Sequence, residues 1–305
     1  MEDARIVAEG LRFPEGPVVL PDGRLAVCEM AAGFVAVVDP ATGAVERVAE
    51  PGGGPNGAAL GPDGALYVCN NGTWPMLEIG PMLVPADVNQ DDRYVGGSLQ
   101  RVDLATGAVE TVYDGLRSPN DIVFDADGGF WFTDYGKQRE HDEDRGVVYY
   151  GRPDGSSLRR AAHSLFRPNG IGLSPDGRKL VVAETPTGRL WAWDVVGPGE
   201  LAMAMPFGNG GTLVAGVGGL QWFDSLAVEA DGRVCLATIY NPGITVVTAD
   251  GSHVEHVPLP PACSDPVPTN ICFGGDDMRT AYVTLSATGR VMACRWPRPG
   301  LRLAF

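Results

Sequence analysis

Short apolar runs punctuated by turn residues recur along the chain, and one unit returns six times. In Arg167–Glu184, RPNGIGLSPDGRKLVVAE, a polar side chain (Asn169) heads an apolar run, a Pro-Asp-Gly turn follows, and a second apolar run closes the unit. The pattern predicts two β-strands joined by a tight turn. Pro175 presets φ, Asp176 bonds back to the backbone and Gly177 supplies a positive φ. The same layout sets Glu15 seven residues before Asp22, Asn56 before Asp63, Asn120 before Asp127, Asp224 before Asp231 and Asn270 before Asp277. A second pattern supplies outer strands: FVAVVDPATGAVERVAE and RVDLATGAVETVYD each read as two strands around a turn that begins at Asp39 or Asp103.

Multi-strand repeats at roughly 40–50 residues are the signature of propeller blades. The expected fold is therefore all-β, a single domain over 1–305. It is a six-bladed β-propeller with four-stranded antiparallel blades around a central channel. Arg5–Glu9 is placed to pair with C-terminal strands and close the ring, which removes open sheet edges. The second unit carries a long insertion, Asn70–Ser98, rich in apolar residues and proline. It reads either as a lid or pocket wall, or as a plain packed insertion. Within it, Asn89–Tyr94 resembles part of a calcium loop but lacks its Gly and distal Glu. Lys137–Gly146 reads as a charged, solvated loop, and Met203–Gly219 as a mobile, Gly-rich connector.

Composition narrows the function classes. The 42 glycines and 25 prolines suit an all-β chain with many turns. A net charge of −15, from 23 basic and 38 acidic residues, argues against a nucleic-acid partner or an anionic membrane surface. The six cysteines form no C-x-x-C and several sit within strand patterns, as buried hydrophobes do. Free thiols and an acidic start without an apolar stretch point to a cytoplasmic protein with no signal peptide. No run is long enough to span a bilayer. There is no G-x-S-x-G, H-E-x-x-H or P-loop, and His141, His163, His253 and His256 are not spaced as a metal site.

The candidate chemistry lies in the repeated polar position. If the first strand of each unit is innermost, then Glu15, Asn56, Asn120, Asn169, Asp224 and Asn270 face one end of the channel. Two carboxylates and four amides offer oxygen ligands to a hard cation. Asn56 and Asn270 read equally well as turn residues. Glu15, set between two prolines in FPEGP, and Asp224, following Trp222 and Phe223, do not. Enclosed carboxylates facing each other need a compensating charge, and a divalent cation supplies it.

These motifs resemble the SMP-30/gluconolactonase/LRE family, six-bladed propellers related in fold to paraoxonase and squid-type diisopropylfluorophosphatase. The resemblance covers nearly the whole chain. Its carriers are FPEGPVV with Glu15, SPNDIVF with Asn120 and Asp121, RPNGIGLSPDG with Asn169, DSLAVEADG with Asp224 and Ser225, and TNICFGGDD with Asn270. It implies one divalent metal held by Glu15, Asn169 and Asp224, with Asn120 a further ligand or a substrate contact. Asp121 and Ser225 would neighbour the site, and Asn56 and Asn270 would help bind substrate. The all-oxygen set favours Ca²⁺, with Zn²⁺, Mn²⁺ or Mg²⁺ as alternatives.

The expected activity is metal-assisted opening of a sugar or small aliphatic lactone. Asp224 is the general base, with Asp121 as the competing candidate. The alternatives are a metal-dependent phosphotriesterase or arylesterase at the same site, and a non-catalytic ligand-binding propeller with structural calcium. The partner is a small lactone or ester; neither nucleic acid nor membrane is expected, and the protein is a monomer or small homo-oligomer.

Overall fold

Every polar-headed unit folds into the two inner strands of a blade. The computed structural model describes residues 1–305 apart from 87, 89–91 and 207. In the first blade the strands Pro14–Val19, Leu25–Glu29, Phe34–Val38 and Val45–Ala49 follow one another from the axis outward. The inner strands of the next five blades are Pro55–Leu60, Pro119–Phe124, Pro168–Leu173, Trp222–Val228 and Pro268–Gly274. Neighbouring inner strands touch in sequence around the ring, and the last meets the first. Six antiparallel sheets arranged this way form a six-bladed β-propeller.

The turns behave as their residues dictate. In the first blade Gly23 N–H donates to Leu20 O, and Arg24 N–H to Asp22 Oδ1 at 3.0 Å. The near-identical stretches at Asp39 and Asp103 make matching turns: each Oδ1 accepts from the N–H two residues on, at 2.8 and 2.9 Å.

The sixth blade closes the ring. Its outer strand is Glu2–Ala8, which pairs antiparallel with Arg290–Arg295, Glu2 opposite Arg295 and Ile6 opposite Met292. The expected closure by the N-terminal stretch is therefore present. Two expectations are corrected. Within Met203–Gly219, Thr212–Gly216 is the outer strand of the fourth blade, paired with Arg189–Gly197. Lys137 and Gln138 are buried, not solvated: Lys137 Nζ donates to Asn71 O at 3.1 Å and stands 4.0 Å from the Tyr94 ring centre. Of the calcium-like run Asn89–Tyr94, residues 89–91 lie outside the described residues.

The core sits between blades. Tyr67, Phe124, Phe130 and Phe132 fill the seam between the second and third, with Phe124 and Phe130 edge-to-face at 5.3 Å. All six cysteines are free thiols, five of them buried. Among the described residues no helix is long and apolar enough to cross a membrane.

The C-terminal segment crosses the channel mouth formed by the turns. Gly300 N–H donates to Met278 O and Leu301 N–H to Val228 O, and the Phe305 ring meets Phe124 at 5.9 Å. Glu229 clips this segment in place. Its buried carboxylate accepts from Trp296 Nε1 at 2.7 Å, from Arg298 Nη2 at 3.1 Å and from the Cys235 thiol at 3.2 Å. Glu229→Ala leaves an indole N–H and a guanidinium without their acceptor, so unfolding in urea should shift by about 3 kcal/mol.

Candidate active site

The polar heads of the inner strands are fixed by two devices. A proline precedes four of them: Pro14-Glu15, Pro55-Asn56, Pro119-Asn120 and Pro168-Asn169. It removes a donor where the ladder is open at the channel and holds φ near −65°. The second device is an acceptor at the end of the second strand in the first four blades. Glu29 takes the Arg12 N–H at 2.9 Å, Asn70 Oδ1 the Gly54 N–H at 2.9 Å, Asp134 the Ser118 N–H at 2.7 Å and Glu184 the Phe166 N–H at 2.8 Å. Each bond pins the backbone just before a polar head, in an interior where an unmade hydrogen bond is costly.

A cavity of about 620 Å³ opens over these heads. Glu15, Asn56, Asn120, Asn169 and Asp224 all line it. Asn270 does not; with Asp121 it lines a second cavity of about 640 Å³ on the turn side of the channel, under the C-terminal segment. A shifted β-bulge explains the difference. In the first five blades the register slips after the polar head or its proline, over the steps Glu15 to Val18, Pro55 to Ala58, Pro119 to Ile122, Pro168 to Ile171 and Phe223 to Leu226. In the sixth it slips earlier, between Pro268 and Asn270. One residue of slip turns a side chain to the other face. Asn270 accordingly copies Asp121: each accepts the N–H of the following residue, at 2.8 and 3.0 Å.

Thr269 takes the vacated direction. Its side chain hydrogen bonds to Glu15, and its hydroxyl also meets Thr284 Oγ1 at 2.9 Å. The signal was present in the sequence, since Pro268-Thr269 continues the Pro-x series of the other blades. Ser225 lies beneath Asn169, its Oγ donating to Asn169 Oδ1 at 3.4 Å. Asn169 Nδ2 donates to Thr185 Oγ1 at 3.1 Å, and the Asn169 side chain also hydrogen bonds to Asp224.

The floor holds more negative charge than its surroundings balance. Burial, then the Asp224 and Asp121 carboxylates, push the Glu15 pKa well above its ordinary range. Burial is also the main cause raising Asp224 and Asp121, each to about 7. Asn120 Oδ1 is buried and accepts no hydrogen bond. An orphaned amide oxygen beside two facing carboxylates is the donor set a hard cation takes up, so the residues fit a divalent cation. Glu15, Asn120, Asn169 and Asp224 could hold it. Among the described residues no three His, Cys, Asp or Glu side chains group as a metal site, on the floor or elsewhere, so a cation here would rely on amide oxygens beside the carboxylates. His141 is exposed and remote from the cavity lining.

The walls bring in residues that were not site candidates, Arg167 among them although it opens the RPNGIGLSPDG stretch. Tyr135, Gln138, Arg167 and Thr185 come from the third and fourth blades. Tyr135 is buried, with Arg167 and Thr185 bonding its hydroxyl. Arg167 Nε also donates to Glu143 at 2.9 Å. The described part of the Asn70–Ser98 insertion forms a hairpin, Met76–Ile79 with Met82–Pro85. It is a pocket wall: Trp74, Met82 and Val84 line the cavity, and the Trp74 and Tyr135 rings meet edge-on at 5.4 Å.

Comparison with known proteins follows the same lines. The family model described as SMP-30/Gluconolactonase/LRE-like region matches residues 13–287. Lactonase drp35 of Staphylococcus saprophyticus is 29% identical over 257 residues, 84% of this chain and 72% of that protein. Diisopropyl-fluorophosphatase of Loligo vulgaris is 29% identical over 61% of this chain and 59% of its own. Gluconolactonase of Zymomonas mobilis is 29% identical over 59% and 51%. A solved gluconolactonase from Xanthomonas campestris superimposes with a TM-score of 0.72 at 23% identity, over 96% of this chain and 89% of that one. With the family model matched from the first blade to the sixth, this propeller belongs to the SMP-30/gluconolactonase/LRE-like family.

Proposed function

We propose that the protein is a lactonase whose channel floor binds one divalent cation, Ca²⁺ by preference. The observation that carries this reading is the floor itself: Glu15 and Asp224 face one another, buried, beside the orphaned Asn120 Oδ1. Relatives named lactonase and gluconolactonase support lactone hydrolysis. Glu15, Asn120, Asn169 and Asp224 hold the cation, which when bound supplies Lewis acidity at the ester carbonyl. Asn56 completes the floor, and the buried Thr269 hydrogen bonds to Glu15. Thr185 and Ser225 fix the Asn169 amide, Thr185 accepting from its Nδ2 and Ser225 donating to its Oδ1.

Of the two candidate bases, Asp224 lines the cavity and Asp121 does not. A carboxylate oxygen of Asp224 takes the proton of the attacking water. The acyl C–O bond breaks and the proton passes to the leaving ring oxygen, giving a hydroxy acid. Ser225 and Asn270 act from beneath the floor. A phosphotriester is a second substrate class for the same floor, supported by the diisopropyl-fluorophosphatase relative. The six free thiols fit a reducing compartment, and we place the protein in the cytoplasm.

The test is lactone hydrolysis by chelator-stripped protein, before and after Ca²⁺, Mn²⁺ or Zn²⁺ is returned. Restored turnover is expected. Full activity in chelator would overturn the reading.

A pH dependence follows from the floor. Cation-free Asp224 and Asp121 titrate at about 7, against 3.8 ordinarily. Between about pH 4 and 7 the folded protein therefore binds protons that the unfolded chain has released. Their contribution to stability is full below pH 4 and is lost as pH rises through 7. A bound cation cancels the repulsion, so Ca²⁺ should raise the melting temperature more at pH 7.5 than at pH 5. Thermal melts at the two pH values check this.

A further inference from the structure

The polar wall residues of the substrate cavity are confined to one sector. Tyr135, Gln138, Arg167 and Thr185 all belong to the third and fourth blades. The remaining wall, running through the fifth, sixth and first blades to the insertion, is aliphatic, proline and aromatic, its polar side-chain atoms limited to the tips of Tyr240 and the tryptophans. The insertion builds its share by strand alternation. Leu83 turns away and is buried against Phe13 and Met30, so its neighbours Met82 and Val84 face the cavity. Opposite them stand Trp222 and Tyr240, edge-on at 5.0 Å. Tyr240 has φ +66°, a left-handed conformation uncommon for a bulky residue, in the turn between Val234–Ile239 and Gly243–Val247.

We infer that this apolar sector is a subsite for an alkyl or aryl substituent, so that the preferred substrate is a lactone carrying an apolar side chain rather than a polyhydroxylated sugar lactone. The inference rests on the hydrolase reading above. A sugar lactone presents hydroxyls around its ring. Bound here, those facing the Met82, Val84, Ile239 and Val267 side chains would lose water without gaining partners, which is costly. An alkyl chain in the same place is removed from water with nothing left unpaired. Thioether and aromatic surfaces also adapt to chains of varied shape.

The experiment compares the Ca²⁺-loaded protein on γ-lactones with methyl to hexyl side chains and on D-glucono-δ-lactone. In parallel, γ-lactams with the same side chains, which resist hydrolysis, are titrated calorimetrically. We expect kcat/KM and lactam affinity to rise about three- to fourfold per added methylene until the sector is filled. All the alkyl lactones should outperform the sugar lactone. In the double variant Met82→Asn, Val84→Asn, both dependences on chain length should flatten, with the melting temperature unchanged. Better turnover of the sugar lactone, flat in alkyl length, overturns the subsite while leaving the hydrolase reading intact. Lactam binding that strengthens with chain length, without turnover of any lactone, supports the subsite and overturns the hydrolase reading. Lactam binding independent of chain length overturns the subsite whatever the enzyme hydrolyses.

Discussion

Glu15→Gln is expected to abolish tight Ca²⁺ binding and to lower kcat/KM by at least about 10²–10³-fold, the range seen when a group stabilising the transition state is lost. The substitution keeps the size of the side chain and a carbonyl oxygen able to bond Thr269 and the Gly16 N–H. What it removes is one negative charge from a floor where burial makes each charge matter. The same change should act in the opposite sense on the cation-free fold. Wild-type Glu15 is penalised there by burial and by Asp224, so the cation-free variant should melt above the cation-free wild type at pH 7.5. Calorimetric Ca²⁺ titration and melts in chelator measure the two halves. A variant that binds Ca²⁺ as the wild type does would sink the assignment of Glu15 as a ligand.

Gly170→Ala is expected to cost about 2–4 kcal/mol and to impair the site together with the fold, as overpacking of a close backbone contact does. Gly170 follows Asn169 on the fourth inner strand. A Cβ there would stand 2.6 Å from Leu226 N, 2.8 Å from Ser225 C and 2.9 Å from Asp224 O. All three are backbone atoms of the next inner strand, and none can swing aside. Relief requires moving the fifth blade outward, and Asp224 with it. The melting temperature should fall by several degrees, and Ca²⁺ affinity should fall with it. A variant with a wild-type melt and wild-type Ca²⁺ affinity would show that neighbouring inner strands do not set the width of the floor.

These two positions also show what was legible in the sequence. Glu15, Asn56, Asn120, Asn169 and Asp224 could be read because each heads an apolar run at a fixed distance from a turn, and both signals are local. The six blades and their closure could be read for the same reason. Asn270 satisfied the same spacing and yet faces the other cavity, because a bulge placed one residue earlier reverses the side-chain direction without altering the count to the turn. Thr212–Gly216 was obscured by the glycines around it; its pairing is set by the exposed edge of Arg189–Gly197, which lies in the fold and not in the segment. Lys137 looked like surface charge. Its burial depends on Asn71 and Tyr94, remote in sequence, closing over it. Tyr135 and Trp222 carry no motif, since an aromatic residue in a strand-rich chain is ordinarily core.

The sheet that joins Glu2–Ala8 to Arg290–Arg295 has a consequence for biosynthesis. Of the propeller's strands, the earliest made is the last to find its partner. At elongation rates of about 5–20 residues per second, it waits on the order of 15–60 s before Arg290–Arg295 has been made. Through that interval the nascent protein carries an unpaired strand whose Ile6, Val7 and Ala8 lack their partners, and the earlier blades form an open arc. Vectorial synthesis therefore cannot lock the ring progressively. A circular permutant whose new ends fall between the first two blades, at Gly52-Gly53, would keep every blade's strands together and carry Arg290–Arg295 and Glu2–Ala8 close in sequence, and should complete its ring with less delay and less aggregation during translation.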